Sequence, residues 1–323
     1  MESVRWGVLG AARIAREQVI PAVRRSGCGE VVAVSSASGR AGSYAADLGI
    51  PRAFDTHEEL LADPEVDAVY IALPNALHAP WIVRAARAGK HVLCEKPLVL
   101  GTGELAEVEA AVEESGVHLA EAFMYRHHPQ MAKLAELVRS GAIGELRVIR
   151  SVFSYSLYDA DNIRLRTEVE GGALMDVGCY CVSGSRLLGG EPVEAHGNSW
   201  IGPTGTDWVT AGVLRFPNNV LATFDCGTAL TNRDELEAIG SEGSLFLDDP
   251  WHCNNPVIEL RRGDSVERIE VEREDSYRLE LENVSDAIRG EAELLLGRDD
   301  AIGQARTLEA LHRSATAGGP VAL

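Results

Sequence analysis

Short apolar runs and helix-spaced segments follow one another in alternation through the first 122 residues, and no other property of the chain narrows its fold so far. Residues 4–9 are an apolar run of strand length. Residues 14–25 carry apolar side chains at Ile14, Val19, Ala22 and Val23, a helical spacing. A second run at 31–34 leads to a helix at 40–48, stopped by Gly49 and Pro51. Thr56-His57-Glu58-Glu59 is a capping-box pattern that opens a short helix. Strands at 67–72, 91–94 and 118–122, with helices at 79–88 and 102–114, continue the series. Strands separated by helices of this length predict a parallel, doubly wound α/β sheet.

The pattern then changes. After a helix at 130–139, runs at 146–155, 209–216, 220–226, 235–239, 244–247, 257–260 and 266–271 alternate apolar and polar residues. Turn pairs such as Asn218-Asn219 and Glu242-Gly243 join them. That is the pattern of an antiparallel sheet with one wet face. A helix at 173–188 interrupts it, and helices at 277–289 and 300–315 close the chain. At 323 residues, two domains are expected: an α/β domain over 1–122 and an α+β domain over 123–323.

Acidic residues number 49 against 30 basic ones, for a formal charge of −19. So acidic a chain repels phosphate backbones and anionic membrane surfaces, so neither nucleic acid nor a membrane is an expected partner. The longest apolar stretches, residues 68–74 among them, fall well short of the ~20 residues of a membrane span. Met1-Glu2-Ser3-Val4-Arg5-Trp6-Gly7 has no basic region ahead of an apolar run, so no secretory leader is expected, and the location expected is cytoplasmic. The six cysteines are scattered, and Cys179 and Cys181 form a C-x-C pair without a second pair. Reduced thiols and no metal are expected.

The first turn fits a phosphate. Gly7-Val8-Leu9-Gly10-Ala11-Ala12-Arg13-Ile14-Ala15 lies where the first strand meets the first helix. A dinucleotide fingerprint has the form G-x-G-x-x-G/A in that place, and Gly10, Ala12 and Ala15 fill its small positions. Backbone amides at the helix start, over Gly10, Ala11, Ala12, Arg13 and Ile14, then face the anion with the helix dipole in support. An NAD site usually places an acid roughly 20 residues further on, for the ribose 2′-hydroxyl. Here the chain reads Val34-Ser35-Ser36-Ala37-Ser38-Gly39-Arg40. Ser36 and Arg40 suit a 2′-phosphate instead, with Arg13 from the first turn stacking on the adenine or adding charge, so NADP(H) is expected over NAD(H).

Three further segments carry a resemblance. They are Leu73-Pro74-Asn75-Ala76-Leu77-His78, Gly89-Lys90-His91-Val92-Leu93-Cys94-Glu95-Lys96-Pro97-Leu98 and Gly171-Gly172-Ala173-Leu174-Met175-Asp176-Val177-Gly178-Cys179-Tyr180. With the first turn, they resemble the glucose–fructose oxidoreductase / inositol dehydrogenase / rhizopine catabolism family over nearly the whole chain. The resemblance implies an N-terminal Rossmann domain, a C-terminal domain on an open, mainly antiparallel sheet, and a homodimer or homotetramer built through that sheet. It also implies that the last helix returns to the first domain. Many members carry a catalytic His four residues after the Asp of the third segment; here that position is Tyr180. In this the chain is similar to the D-xylose dehydrogenase and dihydrodiol dehydrogenase branch. Glu121-Ala122-Phe123-Met124-Tyr125-Arg126 and Asn162-Ile163-Arg164-Leu165 also look like that branch. The resemblance implies nucleotide contacts at Leu73, Asn75, His78, Glu95 and Lys96, with Lys96 near the nicotinamide and the substrate hydroxyl.

Oxidising an alcohol carbon needs a hydride acceptor and a base for the hydroxyl proton, and nicotinamide supplies the first. A free tyrosine, with pKa ~10, is a poor base at neutral pH. An ammonium such as that of Lys96 favours the phenolate, which makes Lys96 and Tyr180 a sensible catalytic pair. Asp176 is expected to hold a substrate hydroxyl or orient Lys96, or else to serve as the helix's N-terminal carboxylate. Arg164 is expected either to bind substrate or to pair with an acid, and His128 to line the substrate pocket. Trp200, Trp208 and Trp251 are expected to pack sheet faces, or else to wall a sugar pocket. These readings imply a hydride-transferring oxidoreductase acting on a sugar-like substrate, an aldose dehydrogenase of D-xylose or glucose type first. A ketosugar reductase, on a nucleotide-linked deoxysugar, or a cyclic trans-diol dehydrogenase comes next. A dinucleotide-sensing regulator without turnover is the reading of another class, and it has no need of Lys96 and Tyr180 together.

Overall fold

The computed structural model describes residues 3–323 except Tyr158 and Ala160. The chain divides into two compact units, one of residues 1–124 with 277–302 and one of residues 125–276 with 303–323.

In the first unit, strands β1 (Val4–Leu9), β2 (Gly29–Ser35), β3 (Arg52–Phe54), β4 (Ala68–Ile71), β5 (His91–Cys94) and β6 (Leu119–Glu121) form a sheet in the order β3-β2-β1-β4-β5-β6. Every pairing in it is parallel. Helices α1 (Ile20–Ser26), α2 (Ala41–Leu48), α3 (His57–Leu61), α4 (His78–Arg87) and α5 (Thr102–Ser115) make the crossovers. β4 is buried at all four residues, as a strand covered on both faces must be. Strand order reverses between β1 and β4, and the crevice beyond the carboxyl ends of such strands is where doubly wound sheets take their ligands. The capping box forms: Thr56 Oγ1 accepts from the Glu59 amide and Glu59 Oε2 from the Thr56 amide, each at 3.2 Å.

The second unit holds a nine-stranded sheet in the order β14-β13-β12-β11-β7-β10-β9-β8-β15. Its strands are β7 (Leu146–Ser156), β8 (Glu194–Ile201), β9 (Asp207–Arg215), β10 (Leu221–Gly227), β11 (Ala229–Gly240), β12 (Ser244–Leu247), β13 (Val257–Arg262), β14 (Ser265–Glu270) and β15 (Val321–Ala322). All pairings are antiparallel except β7 with β10. Helix α6 (Pro129–Arg139) precedes it and α7 (Cys179–Gly189) packs on β7.

The two closing helices divide between the units. Helix α8 (Ser276–Ile288) joins the first unit, where Leu281 and Val284 sit in the core with Val4, Trp6 and Tyr70. The last helix, α9 (Arg298–Ala317), belongs to the second unit from Gly303 onward. All six cysteines are free thiols. Among the described residues no helix is long and apolar enough to cross a membrane.

Candidate active site

The first unit places its candidate residues at the carboxyl ends of β1, β2, β4 and β5. Gly10 ends β1 at φ +105°, and a Cβ there would lie 2.6 Å from the Ala72 carbonyl oxygen. Only glycine fits, and the backbone is left open to a ligand. The following helix opens with a wide π turn at Ala15–Val19 before α1, a local form that recurs at functional sites.

Beside this turn lies a cleft of about 260 Å³, lined by Ala12, Arg13, Arg16, Arg40, Ser43 and Tyr44 among others. Among the described residues no carboxylate lines it. Tyr44 donates its hydroxyl to the Ala12 carbonyl at 2.8 Å, and burial pushes its pKa up to about 12, so it stays a neutral donor. The Arg16 guanidinium stands 4.9 Å over the Tyr44 ring and pairs with Asp47 at 3.0 Å. Arg13 pairs with Glu17, and Arg40 Nε donates to Ser38. Ser36 is buried, does not line the cleft, and shares a hydroxyl contact with Ser38 at 2.9 Å. The cleft's hydroxyls are those of Ser43 and Tyr44, which sequence reasoning passed over together with Arg16. Arg16 carried a signal, since it lies three residues after Arg13 on the same helical face.

Leu73 and Asn75 follow β4, and Glu95 and Lys96 follow β5. Tyr70 donates its hydroxyl to Glu95, and Glu121 Oε1 accepts the Leu98 amide at 2.8 Å, which ties the Glu95–Leu98 loop to the sheet. Lys96 is half-buried, and its bond to Pro97 is cis. His78 departs from its expected place as a nucleotide contact. It is 1% exposed, with Nδ1 at 2.7 Å from the Pro97 carbonyl and Nε2 at 2.8 Å from the Leu73 carbonyl. The ring bolts two loops together and has no surface to offer a ligand.

The second unit gathers Tyr180, Asp176 and Arg164. A π turn at Leu174–Gly178 leads into α7, with Asp176 in the turn and Tyr180 at the helix start. Phe153 and Tyr155 project from one face of β7, two residues apart, and meet Tyr180 and Asp176, four residues apart. The Tyr180 ring, 7% exposed, lies 5.2 Å from Phe153 edge to face, 5.6 Å from Tyr125 and 6.1 Å from Trp251. Asp176 accepts from the Tyr155 hydroxyl at 2.5 Å on Oδ2 and from Arg164 Nε at 3.2 Å on Oδ1. Burial and then the Asp176 charge push Tyr155 well above the usual tyrosine value, so it remains a donor. Arg164 therefore pairs with an acid, the second of its two expected roles.

The helix-start carboxylate is Asp207, not Asp176. Its Oδ2 accepts the Leu174 amide at 2.8 Å and the Thr210 hydroxyl at 2.7 Å. Gly172, at φ +136°, leaves room for it, since a Cβ there would stand 2.0 Å from Oδ1. Nothing in the sequence marks Asp207 for this. His128 is also corrected: it is fully buried and caps α6, with Nδ1 accepting the Gln130 amide at 3.1 Å, so it does not line a pocket. Trp251 is buried and Trp200 is exposed, standing 5.9 Å from Trp208.

The fold and the phosphate turn define a dinucleotide-binding protein of two units. Residues 4–123 match the model of an oxidoreductase family with an NAD-binding Rossmann fold, and residues 131–246 match the GFO/IDH/MocA C-terminal domain. The chain belongs to the Gfo/Idh/MocA oxidoreductase family and is an NAD(P)-dependent oxidoreductase. It is 36% identical to D-xylose 1-dehydrogenase (NADP(+)) 2 of Haloferax volcanii, over 98% of this chain and 99% of that one. A solved 3-ketoreductase from Actinomadura kijaniata, in complex with NADP and TDP-benzene, superposes with a TM-score of 0.92 at 29% identity, covering 97% of this chain and 98% of that chain. An aldose-aldose oxidoreductase from Caulobacter crescentus, complexed with glycerol, does so at 0.92 and 26%, over all of both chains.

Proposed function

We propose that this sugar oxidoreductase is NADP(H)-dependent and is an aldose dehydrogenase acting on D-xylose or a similar aldose. The observation that carries the cofactor preference is the cleft beside the Gly10 turn, lined by Arg13, Arg16 and Arg40 and, among the described residues, by no carboxylate. Guanidinium groups suit a 2′-phosphate, whereas a 2′-hydroxyl asks for an acid. The residues fit the group: the Gly10 position admits no side chain, so the backbone of the turn is open to close approach, and the cleft beside it is lined by guanidinium groups. The aldose reading draws on the Haloferax relative, similar over nearly its full length.

When bound, the nicotinamide accepts the hydride from the substrate carbon. Tyr180 is the proposed acid/base, taking the hydroxyl proton in oxidation and returning it in reduction. Lys96 is the proposed source of the positive charge that favours the phenolate. Asp176, fixed by Tyr155 and Arg164, holds a negative charge one helical turn before Tyr180 and is proposed to orient the substrate. Leu73, Asn75 and Glu95 are proposed to hold the nicotinamide half of the cofactor.

A second reading is a nucleotide-linked ketosugar reductase, favoured by the likeness to the ketoreductase solved with TDP-benzene. Assembly into a homodimer or homotetramer is proposed through the outer face of the large sheet. Trp200, Val213 and Leu221 expose apolar surface there on one face of three adjacent strands.

The test is a titration with NADPH and with NADH, followed on nicotinamide fluorescence, then turnover of D-xylose and of a nucleotide-linked ketosugar. Tighter NADPH and turnover of D-xylose are expected. Equal affinity for the two cofactors removes the 2′-phosphate reading, and turnover of the nucleotide sugar alone selects the second one.

A further inference from the structure

One titratable pair of the second unit lies outside every role assigned above. Asp234, on β11, accepts the Trp251 amide on Oδ1 at 3.3 Å and faces His252 Nδ1 at 2.5 Å with Oδ2. The Asp234 side chain is 19% exposed and that of His252 is 52% exposed. A carboxylate at this distance accepts a hydrogen bond from Nδ1–H, which fixes the tautomer and leaves Nε2 as the ring nitrogen open to another partner.

The segment that carries His252 is anchored on both sides. Trp251 is fully buried and donates Nε1–H to the Val152 carbonyl at 2.9 Å. Cys253, directly after His252, adopts φ +57°, a left-handed conformation that costs a non-glycine residue and persists where the surroundings enforce it. Asp234 pairs with Phe153 across the β7–β11 ladder. Phe153 stands edge to face against both His252, at 5.5 Å, and Tyr180, at 5.2 Å. The imidazole and the phenol thus flank one aromatic ring.

We propose that His252 is a substrate-binding residue, whose Nε2 takes a hydroxyl of the polyol that reacts at Tyr180. The proposal rests on the role given to Tyr180 above. The charged groups facing the imidazole are Asp234 and Asp249, the latter at 3.8 Å. Two carboxylates behind one ring favour a neutral hydroxyl and disfavour a phosphate. The Asp234 hydrogen bond, and then its charge, push His252 above the usual histidine value in spite of burial.

The test uses the NADP-loaded protein with D-xylose as the probe and the variants His252→Ala and Asp234→Asn. In His252→Ala the KM for D-xylose rises ~10-fold, the equivalent of one hydrogen bond, while kcat and NADPH affinity stay within about twofold. Asp234→Asn gives a smaller rise. The histidine Hε1 resonance that vanishes in His252→Ala moves on saturation with D-xylose in wild type, and titrates at a lower pH in Asp234→Asn. An unchanged KM, or a resonance that ignores D-xylose, overturns the proposal. The binding shift needs no turnover. A His252 resonance that moves with D-xylose in a protein that does not oxidise it upholds the binding role and discards the aldose dehydrogenase reading alone.

Discussion

Tyr180 reaches its place through matched spacings. Two side chains on one face of β7 meet two on successive helical turns, and the phenol is packed among Tyr125, Phe153 and Trp251. Removing its hydroxyl leaves that packing intact, so Tyr180→Phe should fold normally. Turnover in Tyr180→Phe is expected to fall roughly 10²–10⁴-fold with NADPH affinity near wild type. Turnover at the wild-type level in that variant would remove Tyr180 from the mechanism. Arg16 allows a second residue-scale test. Its pairing with Asp47 and its stacking on Tyr44 hold it at the cleft, so Arg16→Ala is expected to weaken NADPH by about 10-fold or more while changing NADH little. Equal weakening of both in a fluorescence titration would make Arg16 structural. At this scale the sequence showed residue types and neighbours but not burial. Asp176 and Tyr180 lie one helical turn apart, and Arg164 pairs with Asp176. His78 and His128 looked like ligands because polar rings in motifs read alike, whether they face a cleft or a backbone carbonyl. His252 and Asp234 lie 18 residues apart in sequence, and the antiparallel pairing of β11 with β12 brings the segment after β12 back to Asp234.

The elements show which sequence signals survive folding. Apolar runs between helical spacings predicted the parallel sheet because both faces of its strands are buried, and burial on both faces leaves continuous apolar stretches. β8 was not foreseen: its residues Glu194, Ala195, His196, Gly197, Asn198 and Ser199 are small or polar, and its buried positions are only Ala195 and Gly197. Gly197 is small because a Cβ there would lie 3.1 Å from the Leu311 carbonyl. Neither π turn was legible, since the periodicity of one helix continues through it. The start of α7 depends on Asp207, which comes from another strand and leaves no local cap signature. Asp207→Ala is therefore expected to cost about 1–2 kcal/mol of stability, as loss of a cap does, and to lower turnover by loosening the turn that carries Asp176. Denaturant unfolding of that variant checks the first, and steady-state kinetics the second. Unchanged stability would show that Asp207 does not hold the helix start.

Over the whole molecule, the buried histidines set the response to acid. Burial is the largest cause holding His57, His78, His91, His127 and His128 below the usual histidine value, with His127 at about 3. Unfolding releases them to ~6.5, so below that pH the unfolded chain binds protons that the folded chain refuses. Their contribution is complete above ~6.5 and is lost as pH falls toward each folded value. His252 and Glu280 act in the opposite sense. The Asp234 contact raises His252, and burial holds Glu280 well above the usual carboxyl value, so each favours the folded state on the acid side. Burial raises Asp207 and Asp234 in that sense too. The five histidines take up their protons in the unfolded chain near ~6.5, and the free energy of unfolding measured in denaturant is expected to decline from pH 7.5 to pH 5.5. His57 isolates one share of the slope. Its Nδ1 lies 2.7 Å from the Ser35 hydroxyl inside the first unit, and its ring stands edge-on to Trp81. His57→Gln keeps a hydrogen-bonding group there and removes the titration, so the stability gap between wild type and variant should narrow by up to about 1.4 kcal/mol per pH unit below ~6.5. A gap that stays constant across that range would mean that His57 carries its proton in the folded protein.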